Sequence, residues 1–565
     1  MAYFVLFLFT LIVLSSSSCY AIGNNKTLSS LASRIGISYG RSGNNLPSPY
    51  QSINHIKTLK AGHVKLYDAD QETLTLLSKT NLYVTIMVPN NQIITIGADQ
   101  TAADNWVNTN VLPHYPQTRI RFVLVGNEIL SYNSDQDKQT WANLVPAMRK
   151  IVNSLRARGI HNIKVGTPLA MDVLRSSYPP SSGAFREEVA APVMLPLLKF
   201  LNGTNSFFFL DVYPYFPWST DPVNNDLDFA LFESNSTYTD PQTGLVYTNL
   251  LDQMLDSVIF AMTKLGYPNI SLAISETGWP NSGDIDETGA NILNAATYNR
   301  NLIKKMTANP PLGTPARPGS PIPTFLFSLF NENQKPGSGT ERHWGILNPD
   351  GTQIYDIDFS GTRPVSSLGS LPKPSNNVPF KGNVWCVVVE GASEEELGQA
   401  LDFACGRSNE ICAALAPGRE CYAPVSVTWH ASYAFSSYWA QFRNQSSQCY
   451  FNGLARETTT NPVSKLRRKE EGSKTGSFIN VVSIISDGAD LSNFESDLGS
   501  DDKEDVLVDN LVKAAREGFS FSNLNFKGGA TKADVSRMRE EAIKENNNRK
   551  TASQSEITCD RRCRR

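Results

Sequence analysis

The chain has 565 residues, too many for one ordinary domain and enough for a large barrel with a small module beside it. Its 51 basic and 54 acidic residues leave a formal charge of −3, which gives no electrostatic case for nucleic acid or an anionic membrane surface and points to a neutral substrate. A hydrophobic content of 41% suffices for a substantial core.

Residues 1–21, MAYFVLFLFTLIVLSSSSCYA, read as a secretory signal peptide. The apolar run from Phe4 to Leu14 is too short for a bilayer span, small residues follow it, and Ala21 is a suitable cleavage point. Asn-x-Ser/Thr acceptor sites at Asn25, Asn202, Asn235, Asn269 and Asn444 fit a secreted glycoprotein. No later stretch is apolar and long enough for a transmembrane helix.

Short apolar runs then alternate with loops and longer amphipathic segments. The runs are IGISY at Ile35, HVKLYD at His63, LYVTIMV at Leu82, RFVLVGNE at Arg121, IKVGT at Ile163, FFFLDVYPY at Phe207, SLAISE at Ser271 and PTFLFSLFNE at Pro323. Segments such as Trp141 to Arg158 carry helical spacing between them. Eight alternating β/α units over residues 32–359 predict a TIM barrel, a (β/α)8 fold of class α/β whose active site opens at the C-terminal strand ends.

Residues 360–383 are rich in Ser, Gly and Pro and read as a linker. Residues 384–458 hold five of the eight cysteines, Cys386, Cys405, Cys412, Cys421 and Cys449. None lies between Ile22 and Trp385, so a large cysteine-free domain precedes a small disulfide-bonded one. Residues 459–565 carry dense mixed charge, end in CDRRCRR, and read as a disordered tail.

Two of the apolar runs end on a carboxylate. Glu128 closes the fourth and Glu276 the seventh, so in a closed ring both face the barrel mouth. A pair of carboxyl groups suits glycoside hydrolysis: one protonates the leaving oxygen, and the other attacks the anomeric carbon or activates a water. A separation of roughly 5–5.5 Å means retention and a wider gap inversion. Strand-end surface glutamates or ion pairs are the plain alternative for either residue alone. Asn127, next to Glu128, suits a sugar 2-hydroxyl, or else simply forms the turn after Gly126. Tyr39, Tyr67, Tyr213, Phe216, Trp279 and Phe330 cluster at the same strand ends, where flat rings cover the C–H faces of a sugar. Glu332, Lys335 and Glu341 follow the eighth run, either to position hydroxyls and tune nearby carboxyl groups or, for Glu332 and Lys335, as a rim ion pair.

The stretches ISYGRSGNNLPSP, VKLYDAD, FVLVGNEIL, DVYPYFPW, AISETGWP and FNENQK, in this order between about Ile35 and Phe359, resemble the plant family-17 glycoside hydrolases, the endo-1,3-β-glucanases. The resemblance implies retaining endo-hydrolysis of 1,3-β-glucan, the callose of plant walls. Glu276 would then be the nucleophile, Glu128 the acid/base, and Glu332, Lys335 and Glu341 the supporting trio. It implies no metal and no organic cofactor; a monomer is expected, and the leader places it outside the cell.

The second domain, through VWCVVVEGASEEELGQALDFACG, ICAALAPGRECYAP, WHASYAFSSYW and CYFNG, resembles a family-43 carbohydrate-binding module. That resemblance implies a second 1,3-β-glucan site, with Tyr433, Phe435 and Tyr438 as candidate sugar contacts unless they pack the core. The family pattern has six cysteines in three bridges and this chain supplies five. It would join Cys386 with Cys449 and Cys412 with Cys421, leaving Cys405 without its partner. Relatives often end in a signal for a glycolipid anchor, and the charged tail carries none. A glucan transglycosylase sharing the same glycosyl-enzyme and a non-catalytic callose-binding protein are the competing expectations.

Overall fold

The computed structural model describes residues 35–374, 376–419, 421–443 and 449–460. The expected signal peptide, the acceptor sites at Asn25 and Asn444 and nearly all of the charged tail lie outside the described residues. The chain divides into two compact units that meet between Lys381 and Gly382.

The first unit is built on a parallel sheet of β1 (Gly36–Tyr39), β2 (His63–Leu66), β3 (Tyr83–Val88), β4 (Arg119–Val125), β5 (Lys164–Gly166), β6 (Pro168–Ala170), β7 (Phe208–Asp211), β8 (Leu272–Thr277) and β9 (Thr324–Leu326). Their spatial order is β5-β4-β3-β2-β1-β9-β8-β7-β6. The segments β5 and β6 are halves of one strand interrupted at Thr167. The first half pairs with β4 and the second with β7, which brings the sheet round into a barrel. Eight strand positions result, and each coincides with one of the eight apolar runs.

Between strands the chain forms outer helices, among them α1 (Pro49–Thr58), α2 (Asp135–Ala157), α3 (Leu250–Lys264) and α4 (Ile292–Met306). Local chemistry sets their starts. Ser48 and Gln51 form a reciprocal capping box ahead of Pro49 at the start of α1. Ser134 and Asp137 do the same for α2, so this helix begins a full turn and more before the helical spacing noted from Trp141.

Side-chain alternation separates two cores. Met87, Phe122, Leu124, Phe207, Phe209, Ala273 and Phe325 point inward and fill the barrel as one cluster. Their strand neighbours Val88, Val123, Phe208, Leu210, Leu272 and Leu326 join the larger core between strands and helices. The inward rings interlock edge to face, Phe122 lying 5.6 Å from Phe207 and 5.2 Å from Phe209. The barrel floor is therefore closed by packing, and the charged inward residues gather toward its mouth.

The second unit pairs β10 (Trp385–Val388) antiparallel with β11 (Ala455–Thr458) and packs them on α5 (Glu394–Arg407) and α6 (Val427–Phe442). Ser436 of α6 closes the exposed polar edge of β10. Its hydroxyl accepts from the Cys386 N–H at 3.0 Å and donates to the Cys386 carbonyl at 2.6 Å. Cys386 is bonded to Cys449. Cys412 is bonded to Cys405 rather than to Cys421, which corrects the pairing taken from the family pattern. Cys405 lies near the end of α5 and Cys412 one short helical turn later, leaving their Cα atoms 5.3 Å apart, within disulfide reach. Cys421 is buried, and its carbonyl accepts from the Trp429 indole at 3.2 Å.

The Ser/Gly/Pro-rich span is partly docked on the barrel unit. Asn291, at the start of α4, donates to the side-chain oxygens of Asn376 at 2.9 Å and Asn377 at 2.8 Å. Arg363 makes two 2.9 Å contacts with Asp356.

Candidate active site

Alternation on β2 brings His63, Lys65 and Tyr67 to the inner face. His63 packs on Phe325 in the floor. Lys65, next toward the mouth, is fully buried. A charge at that depth needs a partner, and Glu276 provides it: Lys65 Nζ lies 2.7 Å from Glu276 Oε1 and 3.2 Å from the Ser275 carbonyl.

Glu276 reaches this position through a β-bulge. The register of β8 slips against both neighbours after Ile274. Ala273 points inward and Ile274 outward. Ser275 and Glu276 then both face inward, and Thr277 turns out again to meet the Tyr298 hydroxyl of α4 at 2.6 Å. Tyr67 donates to Glu276 Oε1, and Tyr213 donates to Oε2 at 2.7 Å. Burial by itself would push the Glu276 carboxyl up. The charge and hydrogen bond of Lys65 and the two tyrosine hydroxyls reverse that and hold it below the usual range. Tyr67 and Tyr213 stay neutral donors, pushed well up by burial and by the Glu276 charge.

Glu128 is placed differently. Beyond β4 the chain turns through Gly126 at φ 73° and Glu128 at φ 49°, a left-handed conformation that costs a non-glycine residue energy. A side chain at Gly126 would also strike Ile93 and Ile129. Asn90 holds the turn by accepting from the Asn127 N–H at 2.8 Å and donating to the Asn127 carbonyl at 3.1 Å. The Glu128 N–H donates to the Pro168 carbonyl at 3.2 Å. Burial, then repulsion from Glu276, raises the Glu128 carboxyl to about 7, with Lys65 partly opposing.

Both carboxyl groups line one groove of about 630 Å³, together with Tyr67, Asn127, Asp211, Tyr213, Phe216, Phe327, Glu332, Lys335, Glu341 and Trp344. Phe216 exposes 44% of its surface there and sits 5.8 Å from the Trp344 ring, which also covers Tyr213 at 4.9 Å. The Asn127 side-chain oxygen is buried with no hydrogen-bond partner among the described residues. Glu332 accepts from the Ser42 N–H at 2.7 Å. Gly40 leaves it room, since a Cβ there would lie 2.5 Å from the Glu332 carboxylate. Lys335 pairs with Glu341 at 3.4 Å rather than with Glu332 as the rim-pair expectation had it, and lies 4.2 Å over the Phe327 ring.

Three expected sugar contacts belong elsewhere. Tyr39, Trp279 and Phe330 are buried in the outer core and do not line the groove. The Trp279 indole donates to the Gly289 carbonyl at 2.8 Å, and Tyr39 packs edge-on to Phe330. In the second unit Tyr433, Phe435 and Tyr438 are buried as well, Phe435 stacking on Phe451 at 3.9 Å, so the alternative of core packing holds for them. Sequence reasoning missed Lys65, Asp211, Phe327 and Trp344. The signal for Lys65 was available: a lysine at an inward position of HVKLYD has no solvent to reach.

Two carboxyl groups of unlike acidity at the C-terminal mouth of a parallel β/α barrel define the barrel glycosidases as a class. Comparison with known proteins narrows the class. The glycosyl hydrolases family 17 pattern matches residues 35–359 and the X8 domain pattern residues 384–456. A probable glucan endo-1,3-beta-glucosidase A6 of Arabidopsis thaliana is 73% identical over 469 residues, spanning 82% of this chain and 98% of that protein. Among solved structures, CJP38, a beta-1,3-glucanase and allergen of Cryptomeria japonica pollen, is 40% identical with a TM-score of 0.54, covering 58% of this chain and 99% of that one. A structure from a study of two plant beta-glucan endohydrolases with distinct substrate specificities is 35% identical with a TM-score of 0.52, covering 57% and 100%. The chain thus belongs to glycosyl hydrolases family 17, with an X8 domain following the barrel.

Proposed function

We propose that this protein is a glucan endo-1,3-β-D-glucosidase that cleaves 1,3-β-glucan with retention at the anomeric carbon. One observation carries the reading: a single groove holds Glu276, kept ionised by Lys65 and two tyrosines, and Glu128, raised to about 7 and so still carrying its proton in mildly acidic to neutral water. The names of the similar proteins support the choice of linkage.

Glu128 protonates the departing glucosyl oxygen while a Glu276 oxygen attacks the anomeric carbon. The Glu128 carboxylate then takes a proton from water, whose oxygen displaces Glu276 from the sugar. Lys65 and the hydroxyls of Tyr67 and Tyr213 fix the attacking carboxylate and receive its charge again at the second step. The unpartnered Asn127 oxygen accepts from the sugar 2-hydroxyl, and Phe216 covers a pyranose face. Lys335 and Glu341 hold hydroxyl groups further along the groove. No group in this scheme calls for a metal or organic cofactor.

The X8 unit serves as a second glucan site that raises the local substrate concentration. Secretion to the wall follows from the leader composition and from Asn202, Asn235 and Asn269, all exposed. Among the described residues no helix is long and apolar enough to cross a membrane.

Assay of the purified protein on laminarin, 1,4-β-glucan and mixed-linkage glucan tests the proposal. Shortened laminarin chains with the β configuration at the new ends are expected. Products longer than the starting chains would favour transglycosylation, and no product from any of the three would leave only a glucan-adhering protein.

A further inference from the structure

Besides Glu128 and Glu276 the groove holds Asp211, a carboxyl group that the scheme above does not use. Asp211 is the last residue of β7 and lies in register with Glu276 on β8. It is 2% exposed and lines the groove. Its Oδ1 accepts from the Ser275 hydroxyl, the other inward residue of the bulge. Its Oδ2 is buried and has no hydrogen-bond partner among the described residues. An unpaired oxygen on a buried carboxyl is costly unless something outside the chain satisfies it.

We propose that Asp211 is a further functional carboxyl of the groove, its Oδ2 donating an O–H hydrogen bond to a hydroxyl of the bound glucan. The groups facing it are Lys65 from β2, Glu128 beyond β4, and Ser275 and Glu276 from β8, with Tyr67 and Tyr213 close to the Glu276 charge. Lys65 is the one cation in that set, and its ammonium is taken by Glu276 Oε1 and the Ser275 carbonyl. A charge on Asp211 would stand beside Glu276 with no cation of its own. Burial first, and then the Glu276 charge, hold the Asp211 carboxyl well above the usual carboxylate range. Because Oδ1 accepts from Ser275, the proton sits on Oδ2, the oxygen without a partner. A neutral acid there is a donor fixed in a dry wall, the use to which buried carboxylic acids are put in other enzymes. The inference rests on the reading that the groove takes 1,3-β-glucan.

Infrared difference spectra and kinetics of the full chain test it. A protonated-carboxyl C=O band is expected that survives Glu128→Gln, vanishes in Asp211→Asn, and shifts when laminaribiose is added to the wild type. Asp211→Leu, with the same branched heavy-atom outline but unable to donate, should lower kcat/KM on laminarin by about ten- to hundred-fold, the size of one lost buried hydrogen bond. Asp211→Asn keeps an acceptor for Ser275 and a donor for the sugar, and should fall several-fold less. Thermal midpoints check folding, and should the Leu variant not fold, the band and the Asn variant still decide. A band untouched by Asp211→Asn, or one indifferent to laminaribiose, overturns the proposal, as does an Asn variant as impaired as the Leu one. A wild type inert on laminarin sinks the glucan reading itself, and the sugar contact with it, whatever the band shows.

Discussion

The barrel and the X8 unit solve the same problem, a stable binding protein, with opposite means. The barrel closes a large buried core with no cysteine between Ile22 and Trp385. It can therefore spend its mouth on residues that do little for packing: Lys335, the carboxyl groups of Glu128, Asp211, Glu276, Glu332 and Glu341, and an exposed Phe216. The X8 unit has a much smaller core. Its bridges and its aromatics Phe435, Tyr438 and Trp439 are all drawn into holding it together. The same residue types thus serve chemistry in one unit and cohesion in the other, and the size of the available core decides which.

The largest expected effect separates the units outright. Glu276→Gln should lower turnover of laminarin by about four orders of magnitude or more, as loss of a covalent nucleophile does, while retention on insoluble 1,3-β-glucan in a pull-down persists. The converse experiment is the double replacement Cys386→Ser/Cys449→Ser. It should remove about 2–5 kcal/mol from the X8 unit, seen as an early phase in denaturant unfolding, and abolish the pull-down. Hydrolysis of soluble laminarin should stay within about two-fold, because the barrel keeps its own core. A matching loss of soluble-substrate activity would break the comparison.

A smaller effect tests the electrostatics of the mouth. Lys65→Met should lower kcat/KM by about 100-fold, roughly the 2–3 kcal/mol of a charged hydrogen bond. It should also displace the pH profile. Lys65 lowers both Glu276 and Glu128, so its removal raises both, and the acid and alkaline limbs both move to higher pH. In the wild type the alkaline limb falls near the Glu128 value of about 7, since activity is lost as that proton leaves. A limb that stays put in Lys65→Met would remove Lys65 from the ionisation scheme. The smallest effect belongs to the exposed ring: Phe216→Ala should cost about 1 kcal/mol, read as a several-fold rise in KM with kcat little changed.

What was legible in the sequence follows the same division. The eight strands could be read because parallel strands buried on both faces leave short unbroken apolar runs. Glu128 and Glu276 stood out as charges terminating such runs. Lys65 was equally readable from the alternation in HVKLYD yet was passed over, and so was Asp211 at the end of FFFLD. Tyr39 ends its strand and Trp279 and Phe330 sit beyond theirs, as groove aromatics do. Only packing against the outer layer distinguishes a ring turned to the core from one turned to the cleft, and no local pattern records that. The Cys405–Cys412 bridge was hidden for a similar reason. Spacing alone does not say that the end of α5 and the next helical turn fold back on each other.

The doubled inward step at Ser275 and Glu276 makes the catalytic geometry a matter of counting. If the bulge in β8 were straightened with no residue lost, strict two-residue alternation from Ser275 would turn Glu276 toward the helices and Thr277 into the barrel, with every side chain left chemically intact. Insertions elsewhere on the barrel rim can be absorbed by loops. Loss of the bulge here would leave a folded protein with the Glu276 carboxylate on the wrong side of the wall.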